Sequence, residues 1–340
     1  MRLSMKTITR YYFRFLILLI LAAIAQDNAY AYNPEPEEYW SGTLGPLTIR
    51  SLSPAQSLRL SPIPRSPYGL PDGQTELQFN IAAVSVFSSQ EGLFTLDYHF
   101  TDTRFAINRG FTNNWSAEIS INERRILDAH LDQLTLEFHD LFDIDQNGRD
   151  EAIKDGTNIQ IPSHNIHLGN EARGQTSQTL GLSVQKVLAD KSIGWPAIAV
   201  NFNMSYEMLG NGMIEEGSFD YGVQFSIAQK KSNGYAYGNI SYTEFGSDNV
   251  LGLPLTDNQF SGMLGYEFNV KTDQAFIIQY LVSEGAVIDL GELSEYSHEL
   301  HFGYKWRTDS FLWEAGLVEN IVNFENSPDV AFTFGITYKL

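Results

Sequence analysis

The chain has 340 residues and a formal charge of −19 at pH 7, from 41 acidic residues against 22 basic ones. Such an acid surplus argues against nucleic acid as a partner, and the absence of cysteine excludes disulfides, thiolate metal sites, thiol catalysis and a lipid-modified N-terminal Cys. Low mean hydropathy (−0.20) combined with 13% aromatic residues suits strands that bury only every other side chain against an apolar surface.

At the N-terminus, Arg2, Lys6, Arg10 and Arg14 precede an apolar run from Phe15 to Ala25, and Ala29-Tyr30-Ala31 supplies a small-x-small cleavage site. This order reads as a secretory signal peptide over residues 1–31, because the run is shorter than the ~20 residues a helix needs to cross a bilayer. Its removal takes away four basic residues and one acid and leaves the mature chain more negative. Residues 32–74 are rich in proline (Pro34, Pro36, Pro46, Pro54, Pro62, Pro64, Pro67 and Pro71), which keeps them out of any central strand. Glu35, Glu37 and Glu38 mark a solvated tail, whereas 44–60 carries regular apolar residues. Two placements fit this segment, a periplasmic extension or a plug folded into a lumen.

From Thr75 onward the pattern changes to period-two alternation. Runs fall at about 75–87, 98–110, 115–123, 177–188, 197–208, 218–229, 234–245, 258–270, 274–285, 295–307, 310–320 and 329–340. Even-numbered links are tight, as at Thr112-Asn113-Asn114 and Thr308-Asp309, and odd-numbered links are read as longer. An all-β, antiparallel up-and-down transmembrane barrel of about 12 strands over 75–340 has this asymmetry, with short periplasmic turns and longer external loops. A Greek-key sandwich does not. Trp115, Trp195, Trp306 and Trp313 sit near tight turns and, with Tyr235, Phe268, Phe276 and Tyr338, are expected to form the periplasmic aromatic girdle.

The third link, 124–176, is an external insertion far longer than a connection requires. Leu127, Leu131, Leu134, Phe138 and Leu141 predict an amphipathic helix over about 128–142, lying over the barrel mouth or on the lipid surface. Directly after it, 143–151 follows the first half of a calcium loop, with oxygen ligands expected from Asp143, Asp145, Asn147, Arg149 and Glu151 and the sharp turn at Gly148. Lys154 occupies the position of the bidentate glutamate, so an ordinary acidic turn is the competing reading. His164 and His167 lack partners at zinc spacing and read as loop residues.

Alternation assigns to the lumen Arg104, Asn108, Glu118, Asn201, Asn203, Glu207, Asp220, Gln224, Glu267, Glu299, His301, Lys305 and Glu314. Eight strands enclose little more than side chains and sixteen leave a channel, so twelve leaves the question of openness unanswered. Ser297, Glu299 and His301 share one face of the tenth strand, but residues four apart lie about 13 Å apart, so Ser297 is not the hydroxyl that His301 would activate. No catalytic residue is assigned. In the last strand Phe332, Phe334, Ile336, Tyr338 and Leu340 alternate with Thr333, Gly335, Thr337 and Lys339. The final octet resembles the signal by which outer-membrane proteins are recognised for assembly, with Leu where Phe is commoner.

Two stretches resemble an uncharacterised proteobacterial family, catalogued as a domain of unknown function and regarded as barrel-like. They are Gly45-Pro46-Leu47-Thr48-Ile49-Arg50 with Pro54 and Leu58, and Phe138-His139-Asp140-Leu141-Phe142 with Gly148-Arg149-Asp150. The likeness covers most of the mature chain. Ser51 stands where the family pattern has Asn and Asp143 where it has Gly, and no activity is carried by the resemblance. The sequence thus leads to an outer-membrane barrel of a Gram-negative bacterium, surrounded by lipid and lipopolysaccharide and inserted by the barrel assembly machinery. The first reading of its role is a small-solute channel or binding barrel with a restricted lumen. A structural or surface-interaction barrel acting through acidic loops comes second, and a lipid-modifying enzyme third.

Overall fold

The structure, a computed structural model, describes residues 42–142, 149, 154–189 and 196–340. The expected signal peptide, Trp195 and the calcium-loop residues Asp143, Asp145, Asn147 and Glu151 lie outside the described residues. Twelve antiparallel strands close into a barrel: β1 (Thr75–Gln90), β2 (Phe94–Phe111), β3 (Trp115–Ile126), β4 (Gly174–Ala189), β5 (Ala197–Glu207), β6 (Phe219–Lys231), β7 (Gly234–Glu244), β8 (Asn258–Lys271), β9 (Gln274–Ser283), β10 (Ser297–Arg307), β11 (Phe311–Asn320) and β12 (Val330–Lys339). Each pairs with its neighbours in sequence, and β12 closes on β1 with Glu76 opposite Lys339 and Ser85 opposite Val330. Closure leaves no unpaired edge, which is what a lipid environment demands of strands.

Side-chain alternation sorts the two faces. Phe105, Ile107, Ile119, Ile121, Ile240, Leu264 and Phe276 are exposed on the outer surface, while their sequence neighbours Arg104, Glu118, Asn239 and Met263 are buried. Trp306, Phe268, Phe276 and Tyr338 face outward near the tight turns. Tyr235 does not join them. It is buried inside the barrel beside Tyr68, ring centroids 6.2 Å apart, because it shares the inward parity of its register partner Glu267.

The first link is also not the long loop expected. β1 and β2 pair without interruption to Gln90 opposite Phe94, so only residues 91–93 turn. Alternation fails over 96–100 because all five residues are buried, with Ile159, Gln160 and Asn158 of a short external strand (Asn158–Ile161) paired onto β2. The third link carries the helix α1 (Asp132–Phe142), shorter at its start than the spacing predicts, since His130 turns with φ +50°. The face that α1 buries is also unexpected: Leu131, Asp132, Thr135 and His139 point inward, whereas Leu134 and Leu141 are exposed.

Residues 43–72 run inside the barrel. They form an extended limb towards the external end, a 3-10 turn at Gln56–Leu58, and a returning limb that meets the start of β1. One buried apolar cluster joins Leu47, Ile49, Leu52 and Leu58 of this segment to Val84, Phe94, Leu96 and Phe100 of the β1–β2 hairpin and to Ile161, Leu253 and Leu293 of the external links.

Candidate functional site: a plugged lumen and its external latch

An extended, proline-rich segment has few backbone donors, and those it has need partners when buried. The outward limb finds them on the barrel wall. Glu267 accepts from the amides of Leu44 and Gly45 at 3.1 and 3.0 Å and from the Thr43 hydroxyl at 2.7 Å. Gln279 accepts from the Leu47 amide at 2.9 Å and Glu314 from the Thr48 amide at 2.9 Å. Glu299 accepts from the Leu52 amide at 3.1 Å and from the Ser51 hydroxyl. Lys305 donates to the carbonyls of Leu44 and Pro46 and pairs with Glu314 at 2.9 Å. Three wall glutamates therefore stand in for the strand that this segment lacks. Gly303 makes room for it: a Cβ there would lie 2.3 Å from the Leu47 side chain.

The returning limb is held by neutral groups as well as charges. Asp220 accepts from the Leu60 amide at 2.9 Å, Gln224 donates to the Ile63 carbonyl, and Asn239 both accepts from the Arg65 amide and donates to its carbonyl. Near the periplasmic end Gly73 and Gln74 exchange backbone hydrogen bonds with Gly110, where a Cβ would lie 2.0 Å from the Pro71 oxygen.

Between the two limbs and the β1–β4 wall the lumen is not filled. A cavity of ≈140 Å³ is lined by Arg65, Glu76, Gln78, Arg104, Glu118 and Lys305 among others. Two smaller ones, of ≈30 and ≈50 Å³, lie against Asp102, Asn122, Ser120 and Asn203. All three share Arg104 and Ile63 in their walls. Arg104 pairs with Glu118, which Arg65 also engages at 2.6 Å, and Arg104 further donates to Gln78 at 3.1 Å. Arg50 of the plug forms a bidentate pair with Asp102 at 2.6 and 2.8 Å.

The nine ionisable residues assigned to the lumen by alternation are all buried. Glu118, Asp220, Glu267, Glu299, Lys305 and Glu314 bond the plug directly. His301 sits behind them, 3.0 Å from Gln279 and 3.3 Å from Glu299. Glu207 stands apart at the external end, tying Ser177 and Gln178 to β5. The Ser297 hydroxyl donates to Glu299 at 3.2 Å, and no hydrogen bond joins it to His301. Sequence reasoning passed over Asp102, Arg124, Asn239 and Gln279, although their parity matches Arg104, Glu118, Glu267 and His301 on the same or neighbouring strands and was available as a signal.

A second buried polar group closes the external end. Arg149, 4% exposed, donates to Asp132 of α1 at 2.5 Å, pairs with Asp329 just before β12, and reaches Ser85 of β1. Asp132 also bonds His99 of β2 at 2.8 Å and accepts from the Asp155 amide. His139 completes the group, 3.5 Å from Asp329 and 3.7 Å from Glu319. Burial pushes the Asp132 carboxyl up, but bonds from His99 and Arg149 outweigh it and hold the group well below the usual carboxylate range. For Asp329 burial wins over Arg149 and His139, and its carboxyl is raised. His139 and Arg149 are the motif residues of the insertion, and here they latch α1 to three strands. The Arg149 side chain is engaged in these contacts; the calcium reading drew on its carbonyl. Lys154 donates to Gln133 at 3.1 Å.

A closed twelve-stranded barrel with an apolar outer band and a polar interior is the architecture of outer-membrane proteins. Over residues 35–340 the chain matches, and belongs to, the family described as "Protein of unknown function (DUF3187)". No curated protein matches it. Among solved structures it is similar to the COG4313 outer membrane channel from Pseudomonas putida F1, at 10% identity and a TM-score of 0.53, covering 80% of this chain and 98% of that one. It is also similar to the NanC porin (11% identity, TM-score 0.45, 78% and 100% covered) and to the translocator domain of the autotransporter NalP from Neisseria meningitidis (8%, 0.42, 78% and 88%). At these identities the likeness is one of fold.

Proposed function

We propose that this outer-membrane barrel binds or passes a small polar solute through a lumen restricted by its own N-terminal hairpin. The observation that carries the reading is the group of three cavities sharing Arg104 and Ile63, which leaves the lumen unfilled between the plug and the wall around β1–β4. A barrel serving only as a scaffold has no need of polar cavities lined by Arg65, Arg104, Glu118 and Asn122. The restriction is severe, since the ≈140 Å³ cavity holds only a small cluster of waters. Substantial transport therefore requires the hairpin to shift, and its anchors are hydrogen bonds to side chains rather than a strand ladder.

The test is ion conductance in a planar lipid bilayer, with the heat-dependent gel shift confirming a folded barrel. The intact chain is expected to give small, steady currents, and deletion of residues 43–72 to raise them to those of an open barrel. Glu118→Gln in the intact chain removes the one carboxylate facing two guanidinium groups, so selectivity moves towards anions. A folded barrel whose deletion variant stays silent, or whose selectivity ignores Glu118→Gln, removes the reading.

A further inference from the structure

The guanidinium groups of Arg50, Arg65, Arg104 and Arg149 are each paired with a carboxylate, and buried Arg59, which forms no ion pair among the described residues, donates to the carbonyls of Thr256 and Ala286. Arg124 is the contrast. It is 1% exposed near the external end of β3, and its bonds go only to neutral hydroxyls, Tyr98 and Thr176, both at 3.2 Å. Its guanidinium lies 4.0 Å over the Phe100 ring, its Nε has no hydrogen-bond partner, and no carboxylate among the described residues forms an ion pair with it. Its cross-strand partner Asp102 is bonded by Arg50 and not by Arg124, and a buried charge that no carboxylate contacts directly is costly.

Arg124 also lines a cavity of ≈60 Å³ at the external mouth, whose other walls are almost wholly apolar: Leu58, Leu96, Ile126, Ile159, Leu253 and Leu293 are among them. This space is separate from the polar cavities at Arg104 and shares no lining residue with them. A pocket with a buried guanidinium in its wall and hydrocarbon elsewhere matches an amphipathic anion, with a carboxylate on the guanidinium and a short aliphatic body in the cavity. We propose that the external mouth is a binding site for small aliphatic monocarboxylates, recognised by Arg124. The site does not rest on whether the lumen conducts. The small volume favours a short chain, and the plug residues Pro54, Ala55 and Leu58 form part of its floor, so occupancy stabilises the closed arrangement.

The test uses the full chain in lipid nanodiscs, titrated calorimetrically with hexanoate and with 1-hexanol against empty nanodiscs. Hexanoate is expected to bind about tenfold or more tightly than the alcohol, the difference between a charge-assisted and a neutral hydrogen bond. Arg124→Met should abolish that preference, and Ala55→Leu, which fills the cavity from the plug side, should weaken both ligands. Arg124→Lys keeps the charge and should retain part of the preference, which supports recognition even where the Met variant folds poorly. Equal binding of acid and alcohol, no saturable binding by the folded protein, or a preference that survives Arg124→Met would each overturn the assignment.

Discussion

The two ends of the lumen are held by different physics. Towards the periplasm the plug hangs on hydrogen bonds from its backbone to the wall carboxylates Glu267 and Glu314, beside a polar cavity of ≈140 Å³. At the external end apolar side chains from the plug turn, the β1–β2 hairpin and the links pack into one cluster, and a buried ion group around Arg149 fixes α1 above it. The first arrangement breaks one bond at a time. The second is lost as a unit, because each member of the ion group shares partners with the others.

The largest effect is therefore expected at the latch. Arg149→Met leaves Asp132 and Asp329 buried without their shared cation, and breaking a buried pair on one side costs about 3–5 kcal/mol. That cost falls on α1 rather than on the barrel, whose strands do not depend on it. Hydrogen exchange should show α1 amides losing protection while the heat-dependent gel shift stays as in the parent protein. If α1 remains protected, the latch is not what holds it.

A smaller effect separates the two ends. Glu267→Ala removes the acceptor of the Leu44 and Gly45 amides, stranding a buried donor at about 1–3 kcal/mol. Glu267→Gln keeps an acceptor and should cost less. The plug amides near Leu44 should exchange faster in the Ala variant while α1 is unaffected. Loss of protection at both ends together would show that plug and latch form one cooperative unit.

How far these regions were legible follows from periodicity. The outer face repeats every two residues against a uniform solvent, so the strands and their inward charges could be read from alternation alone. The signal fails where both faces are covered, as at 96–100 in β2, and there the expected loop turned out to be strand. The position of the plug was open for another reason. Prolines and spaced apolar residues look alike in a tail and in a lumen, and the deciding feature, the gap at Gly303 opposite Leu47, has no period. In α1 the 3.6-residue spacing identifies a helix but not its inner face. Asp132, Thr135 and His139 are buried because the surface below offers Arg149, His99 and Asp329, which sequence separation hides.

The smallest effect sharpens the latch by its response to pH. Asp132 has a folded pKa below its unfolded value, so its contribution is complete above about pH 4 and is lost as pH falls further. Asp329 has a folded pKa above its unfolded value, so it is a liability at neutral pH that disappears as pH falls through the raised value towards about 4. The two carboxylates therefore act in opposite senses on either side of the ordinary aspartate pKa, and α1 protection should be greatest near pH ~4, weaker at neutral pH and weakest in stronger acid. Asp329→Asn removes the liability and keeps an acceptor for Arg149. In that variant the gain between pH 7 and 4 should shrink while the loss in stronger acid remains, whereas an undiminished gain would place its origin outside Asp329.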